Sequence, residues 1–197
     1  TPDGRKVYAL GDVYQAAESG TASVIAVVNS GAVLYALLKI MPALPASALT
    51  GLVWAGILTF FFSNLLGLRQ QDAKRLLGYS STAQIGLILA VLALVMRNGL
   101  DERFLLLTAG AIFLSHLLAK AGLFWITSAQ RTPIWRNWIG PAGGSGVLVF
   151  GILIFALAGL PPFPAFWAKW KLAVTLIGDA PWFIALLLAG SLFDAAY

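Results

Sequence analysis

Six long apolar segments, separated by short polar stretches, follow one another along the chain. A helix that crosses a bilayer needs about 20 consecutive apolar residues, and the segments meet or approach this length. The pattern therefore predicts a polytopic membrane protein. The approximate ranges of the segments are 21–41, 46–68, 76–96, 104–127, 144–177 and 181 onward.

The fifth segment is too long for one straight span and is interrupted by Gly159-Leu-Pro161-Pro162-Phe-Pro164. Prolines at this density break a helix because they lack the amide donor. The chain shows no period-two alternation, and open strands cannot cross lipid. We therefore predict the all-α class, as a transmembrane helix bundle of about six segments with one broken helix.

Composition supports the membrane interpretation and excludes several other classes. Hydrophobic residues make up 59% of the 197 residues and charged residues 11%, and the mean hydropathy is +0.85. The net charge is +5, and most of the basic residues lie between the apolar segments, as loop charges do in membrane proteins. We therefore predict no nucleic-acid partner. With no cysteine and one histidine, we predict no metal site.

Charge also predicts an orientation. Of the 13 Lys and Arg residues, Lys120 and Lys169 lie inside spans, and the others divide seven to four in favour of the N-terminal side. The positive-inside rule places that side in the cytoplasm. We predict a cytoplasmic loop at 1–20 and a transmembrane bundle at 21–197. Because Thr1 is not an initiator methionine and the last segment stops within a helical pattern, we expect a fragment of a longer protein.

His116 and Lys120 stand one helical turn apart in the fourth segment. The i, i+4 spacing puts both on one helix face, and ionisable groups at this depth are costly and are retained for a function. Burial favours the uncharged form of lysine, so Lys120 can release and regain a proton, and histidine titrates near neutrality. We favour a proton relay; the alternative is that Lys120 extends to the interface and His116 bonds a neighbouring helix.

Lys169 follows the break in the fifth segment. Broken helices in transporters free backbone groups that line water or an ion site. The alternative is a re-entrant turn with Lys169 and Lys171 both at the interface. Pro161 and Pro162 are candidate supporting residues because they form the break. The residues alone do not decide between the two interpretations.

Polar residues crowd the start of the third segment, where Lys74 lies at a membrane edge and Tyr79, Ser80 and Ser81 follow. Small hydroxyl residues serve as helix-packing contacts, which is the interpretation that the residues alone favour; they also suit holding water on a proton path. Asp194 is the only carboxylate deep in an apolar segment. No phosphate loop, catalytic triad or carboxylate pair is present, so we predict no catalytic residues.

Four motifs together resemble the antiporter-like subunits of respiratory complex I, Mrp-type sodium/proton antiporters and energy-converting membrane hydrogenases. Asp72–Gly86 (DAKRLLGYSSTAQIG) resembles the family pattern D-x-K-R-L-L-A-Y-S-S-I-x-x-x-G. His116–Phe124 (HLLAKAGLF) resembles H-x-x-x-K-A-L-L-F, and Ala158–Lys169 resembles the broken helix G-x-P-P-x-x-G-F-x-x-K. Asp12–Gln15 (DVYQ) resembles the D-V-Y loop, most closely that of the N-type complex I subunit.

This resemblance implies a subunit built from two inverted helix repeats, of which the chain holds the C-terminal one. Lys120 and Lys169 match the family's proton-carrying lysines, and His116 matches the histidine that links such lysines. The chain departs from the pattern at Gly31, where a lysine is usual, at Ala165, where glycine is usual, and at 16–21, which lacks the usual prolines.

The resemblance implies proton translocation by a non-redox subunit of a complex I-type NADH/quinone or related oxidoreductase, with no cofactor bound by this chain. The expected partners are other membrane subunits and the lipid bilayer, and the expected location is the inner membrane of a bacterium or archaeon, or its organellar equivalent. Two alternatives stay open. One is a subunit of a Mrp-type sodium/proton antiporter; the other, suggested by Gly31, is a non-conducting structural subunit.

Overall fold

Helices are the only regular elements in the part of the chain that the computed structural model describes, residues 30–129 and 144–196. The all-α prediction is therefore confirmed. The predicted loop at 1–20 lies outside the described residues and stays a prediction. The helices in chain order are α1 Ser30–Ile40, α2 Ala46–Gly67, α3 Ala73–Arg97, α4 Glu102–Leu105, α5 Ala111–Ala129, α6 Gly144–Ala158, α7 Pro164–Leu176 and α8 Pro181–Ala196.

Three stretches of the described residues are long and apolar enough to cross a membrane. They are Ala46–Gly67, Lys74–Arg97 and Glu102–Ile126, and shorter apolar helices cover Ser30–Ala43, Leu148–Ala158 and Pro181–Ala196. The second predicted segment matches α2 almost residue for residue. The break predicted in the fifth segment separates α6 from α7.

The predicted fourth segment is one continuous helical span but not a uniform α-helix. A π-helical stretch, Leu106–Gly110, joins α4 to α5. A π turn adds a residue to the helix, and each residue turns an α-helix by about 100°. The π segment therefore sets which face of α5 turns towards the other helices.

α3 is the central helix of the bundle. Asp72 caps its first turn by accepting a hydrogen bond from the Arg75 amide at 3.0 Å, which is the usual role of aspartate at this position. The membrane-spanning window of α3 is 67% buried, against 33% for α2 and 44% for the α4–α5 span. Groups carried by α3 are therefore within reach of helices on several sides.

Glycines bring α2 and α3 into backbone contact. A Cβ atom on Gly56 would lie 2.5 Å from the Gly86 carbonyl oxygen, and one on Gly86 would lie 2.7 Å from the Gly56 carbonyl oxygen. No larger residue fits at either position without moving a helix. Small residues permit the same close approach between membrane helices in general.

α8 is fixed against α2 on the other side. Gly190 faces the Phe60 ring so closely that a Cβ atom would overlap it. The Asn64 side-chain amide donates a hydrogen bond to the Gly190 carbonyl at 3.1 Å. Trp54 and Trp182 stack with ring centroids 4.3 Å apart. These contacts set the position of α8 and of the polar side chains near its C-terminal end.

Candidate functional site

Four buried ionisable side chains lie inside the apolar bundle. His116, Lys120, Lys169 and Asp194 are 5%, 0%, 9% and 3% exposed. They come from α5, α7 and α8, and each costs free energy at this depth unless it has polar or charged partners. Their partners therefore decide what the cluster can do.

The Lys120 ammonium donates a hydrogen bond to the Leu77 carbonyl oxygen of α3. The Ser81 hydroxyl donates to the same oxygen at 2.9 Å. Leu77 also packs in a buried apolar cluster with Ala119 and Leu123 from α5. The cation is thus held by backbone oxygen within an apolar surrounding, so the alternative interpretation, in which Lys120 extends to the interface, does not describe its position.

Lys169 bonds to the end of the helix that precedes the break. Gly159 adopts a φ of +73°, and the Leu160 amide donates to the Phe155 carbonyl at 3.1 Å, which is the Schellman arrangement of a helix C-terminus. The Ala158 carbonyl accepts a hydrogen bond from the Lys169 ammonium at 3.1 Å. The partial negative charge of a helix C-terminus favours a cation there.

The prolines form the break between α6 and α7 but do not lie in the buried interior. Pro161 and Pro162 are exposed, and the bond between them is cis. Pro164 is the first residue of α7, where its missing amide leaves no helical hydrogen bond unmade. Because side chains tilt towards the N-terminus of their helix, Lys169 reaches back from the second turn of α7 to Ala158.

His116 lies one helical turn before Lys120 in α5 and is buried with it. Its charge would interact with Lys120 and with Lys169, and its Nδ1 atom has no hydrogen-bond partner among the described residues. The neighbouring Ser115 hydroxyl donates to the Ala156 carbonyl at 3.3 Å, which ties α5 to α6. The imidazole therefore has a nitrogen free to exchange a proton.

Two members of the site were not among the residues that we predicted to act there. The Gln84 amide of α3 donates a hydrogen bond to Asp194 Oδ2 of α8 at 2.9 Å, and the Asp194 carboxylate interacts electrostatically with both lysines. The signal for Asp194 was its position as a lone carboxylate in an apolar segment. Gln84 gave no comparable signal, because its partner lies 110 residues away.

The predicted supporting residues of α3 separate into two groups. Ser80 is fully buried, with no hydrogen-bond partner for its hydroxyl among the described residues, and Ser81 joins Lys120 at the Leu77 carbonyl. Lys74 and Tyr79 are half-buried in the first two turns. Of these residues, Ser81 therefore shares an acceptor with Lys120, whereas a role of Ser80 in the site stays a prediction.

A groove with a volume of about 780 Å³ lies between the end of α6, α7 and α8. Lys169 and Ser191 are its polar members, and the rest of the lining is mostly apolar. The Ser191 hydroxyl also has no hydrogen-bond partner in the described part of the chain. Within that part, no group of three or more His, Asp or Glu residues is placed to hold a metal ion.

Sequence comparison places this chain in a known family. The NADH:quinone oxidoreductase/Mrp antiporter transmembrane family matches residues 10–194. The chain belongs to this family. The family and the apolar helices together make it an integral, multi-pass protein of a bacterial or archaeal inner membrane.

Individual members of the family show how much of a subunit the chain spans. NADH-quinone oxidoreductase subunit N of Francisella tularensis subsp. holarctica is 32% identical over 89% of this chain and 38% of its own length. The subunit N of Desulforudis audaxviator is 30% identical over 95% of the chain and 39% of its length. The chain therefore spans about two fifths of these relatives, and they support the N-type resemblance.

The fold also matches a solved structure. A chain from the membrane-bound sulfane sulfur reductase, an archaeal respiratory membrane complex, aligns with a TM-score of 0.78 and 26% identity. The alignment covers 93% of this chain and 39% of that one. That structure is a respiratory membrane complex, and the sequence relatives are named as subunits of an oxidoreductase, which agrees with the prediction that the partners include other membrane subunits.

Proposed function

We propose that the chain is part of a proton-translocating membrane subunit of a complex I-type NADH/quinone or related oxidoreductase. Protons move along a buried axis formed by His116, Lys120 and Lys169. The observation that carries the proposal is the burial of these three basic groups in one apolar bundle, where an ionisable side chain is retained for a function. The names of the relatives support the same class of complex.

The surroundings of the two lysines act on the ammonium form in opposite directions. An apolar surrounding disfavours the ammonium form. The carbonyls of Leu77 and Ala158 and the carboxylate of Asp194 favour it. Each lysine therefore has polar partners for its ammonium form within a surrounding that also favours release of the proton.

His116 suits the transfer between the lysines. A neutral imidazole has one donor and one acceptor nitrogen, so it can take a proton at one nitrogen and release another from the other nitrogen. It interacts with both lysines and has Nδ1 without a partner in the described residues. We place the redox centres on partner subunits, and this chain contributes proton transfer alone.

Alanine variants in the parent complex test the proposal. Lys120→Ala and Lys169→Ala are each expected to lower proton pumping at least about 100-fold, the lower range for loss of a positioned acid–base group. Pumping is measured with a pH-sensitive dye in membrane vesicles. Lys171→Ala is the matched control, because this exposed lysine lies two residues after Lys169 and contacts the Phe104 ring at 5.4 Å. Normal pumping in both test variants would overturn the proposal.

The family also covers Mrp antiporters, so sodium/proton exchange is the second candidate function. In that case sodium would couple to the same lysines. Transport that depends on sodium and proceeds without a quinone or hydrogenase partner would favour the antiporter. Transport that persists without sodium and requires electron transfer would favour the oxidoreductase.

Gly31 supports a third candidate, a non-conducting structural subunit. This position has no side chain where the family pattern has a lysine. In a structural subunit, the Lys120 and Lys169 variants would assemble and the complex would pump at the normal rate. The alanine variants therefore decide between the conducting and the structural role.

A further inference from the structure

Asp194 is a buried ionisable residue that the proposed Lys/His axis does not include. Of the residues that the structure describes, it is the one acidic side chain in the buried interior, which also holds His116, Lys120 and Lys169. The other described acidic side chains are exposed or half-buried. Asp194 therefore supplies the negative charge of a described interior that is otherwise basic.

The chemistry of its hydrogen bond suits an ionised carboxylate. The Gln84 amide donates to Asp194 Oδ2 at 2.9 Å, and an ionised carboxylate is an acceptor only. Lys120 of α5 and Lys169 of α7 are buried in the same interior as this carboxylate. One carboxylate therefore serves two lysines that belong to different helices.

We propose that Asp194 is the counter-charge shared by Lys120 and Lys169, and that it limits the pair to one transferable proton. With one lysine charged, the carboxylate and the ammonium cancel. A second ammonium would leave a net positive charge in an apolar interior and would be repelled by the first. The two lysines therefore hold one proton between them.

The proposal rests on the proposed proton translocation and adds a rule to it. When a proton leaves the Lys120 ammonium and reaches the Lys169 amine through His116, the carboxylate keeps its charge and changes its partner. No proton is gained or lost by Asp194. The next proton enters only when the first has left the pair.

Buried hydroxyls near this carboxylate give the proton a polar surrounding. Ser80 precedes Gln84 by one turn of α3, and Ser191 precedes Asp194 by one turn of α8. Neither hydroxyl has a hydrogen-bond partner in the described part of the chain. Buried hydroxyls of this kind commonly bind water, and water between them would screen the charge as it moves.

The test replaces the carboxylate in the parent complex and measures pumping over a pH series. In Asp194→Asn the lysines lose their counter-charge and hold a proton only in more acidic medium. Pumping is therefore expected to fall about tenfold at neutral pH, the change for a one-unit shift in proton occupancy, and to recover partly as the pH is lowered. Asp194→Glu is expected to restore the wild-type profile.

Asp179→Asn is the matched control, because Asp179 is an exposed aspartate in the turn before α8, and it is expected to pump normally. A loss in Asp194→Asn that is equal at every pH, or a wild-type profile, would overturn the proposal. If Asp194→Asn does not assemble, Gln84→Leu decides. A smaller shift in the same direction supports the shared counter-charge, and an unchanged profile refutes it.

These outcomes are distinct from those of the alanine variants. Normal pumping in Asp194→Asn, together with loss of pumping in Lys120→Ala and Lys169→Ala, would refute the shared counter-charge and leave the proposed function intact. Normal pumping in both lysine variants would remove the function itself.

Discussion

Lys120 and Lys169 are both buried lysines bound to backbone carbonyls, yet the two carbonyls are made available in different ways. Lys120 lies on a continuous helix and bonds to Leu77, in the body of α3. Lys169 lies after a break and bonds to Ala158, at the end of α6. The carbonyls in a helix body already accept helical hydrogen bonds, whereas those at a helix end do not.

The difference indicates what fixes each lysine in place. The position of Lys169 depends on local backbone geometry, because the turn at Gly159 ends α6 where the ammonium needs an acceptor. The position of Lys120 depends on how α5 is rotated against α3, which the π segment Leu106–Gly110 sets. Variants that change the turn or the rotation should therefore affect the two lysines separately.

The largest effect is expected from deletion of Leu107. Removing one residue from the π segment should turn α5 by about 100° relative to α4, or force α5 to shift along its axis. Either change moves Lys120 and His116 away from Leu77, so pumping in vesicles should fall to background. Leu107→Ala keeps the helix register at this exposed position and should pump nearly normally. Normal pumping after the deletion would show that the π segment does not position Lys120.

Gly159→Ala should have a smaller effect that is confined to Lys169. A left-handed φ costs a non-glycine residue roughly 1–2 kcal/mol. The new Cβ atom would also lie 3.2 Å from Lys169 Nζ and 3.3 Å from Ala165 Cβ. Thermal unfolding of the purified complex should show lower stability, and pumping should fall severalfold.

Gly151→Ala is the control for that variant, since it lies in the same helix with open space around its Cβ position. Replacing a helix-interior glycine should stabilise α6 by about 0.5–1 kcal/mol. Equal stability losses in both variants would mean that the turn at Gly159 has no special part in holding Lys169.

The smallest effect is expected at Gly31 of α1. A Cβ atom there would lie 3.4 Å from the Phe113 ring, which is tolerable, so Gly31→Ala should gain about 0.5–1 kcal/mol of unfolding free energy without changing pumping. Gly31→Lys should pump at the same rate as Gly31→Ala, because Phe113 fills the space beside this position. Faster pumping in Gly31→Lys than in Gly31→Ala would indicate that the proton path extends from Lys120 towards α1.

The sequence predicted the helices, the break and the position of Lys120 inside a span, because each leaves a local mark: apolar length, clustered proline, or charge inside a span. For Lys169 the residues alone left a buried and an interfacial position open, because the break hides how far α7 enters the bundle. It did not predict the π segment, since Leu106–Gly110 continues the apolar pattern without interruption. It did not predict the Gln84–Asp194 hydrogen bond either, because helical periodicity says which face a residue occupies and not which helix that face meets. Whether His116, Lys120 and Lys169 carry protons stays a prediction for the variants to test.

The glycine contacts of α2 have a mechanical consequence for the site. With Gly56 against Gly86 and Gly190 against Phe60, α2, α3 and α8 form a wall whose members have no room to slide past one another. Gln84 and Asp194 belong to these packed helices, so the carboxylate charge stays at a fixed position. In the proposed proton transfer, motion then falls to the lysine side chains, each with four rotatable bonds, and to the break that separates α6 from α7.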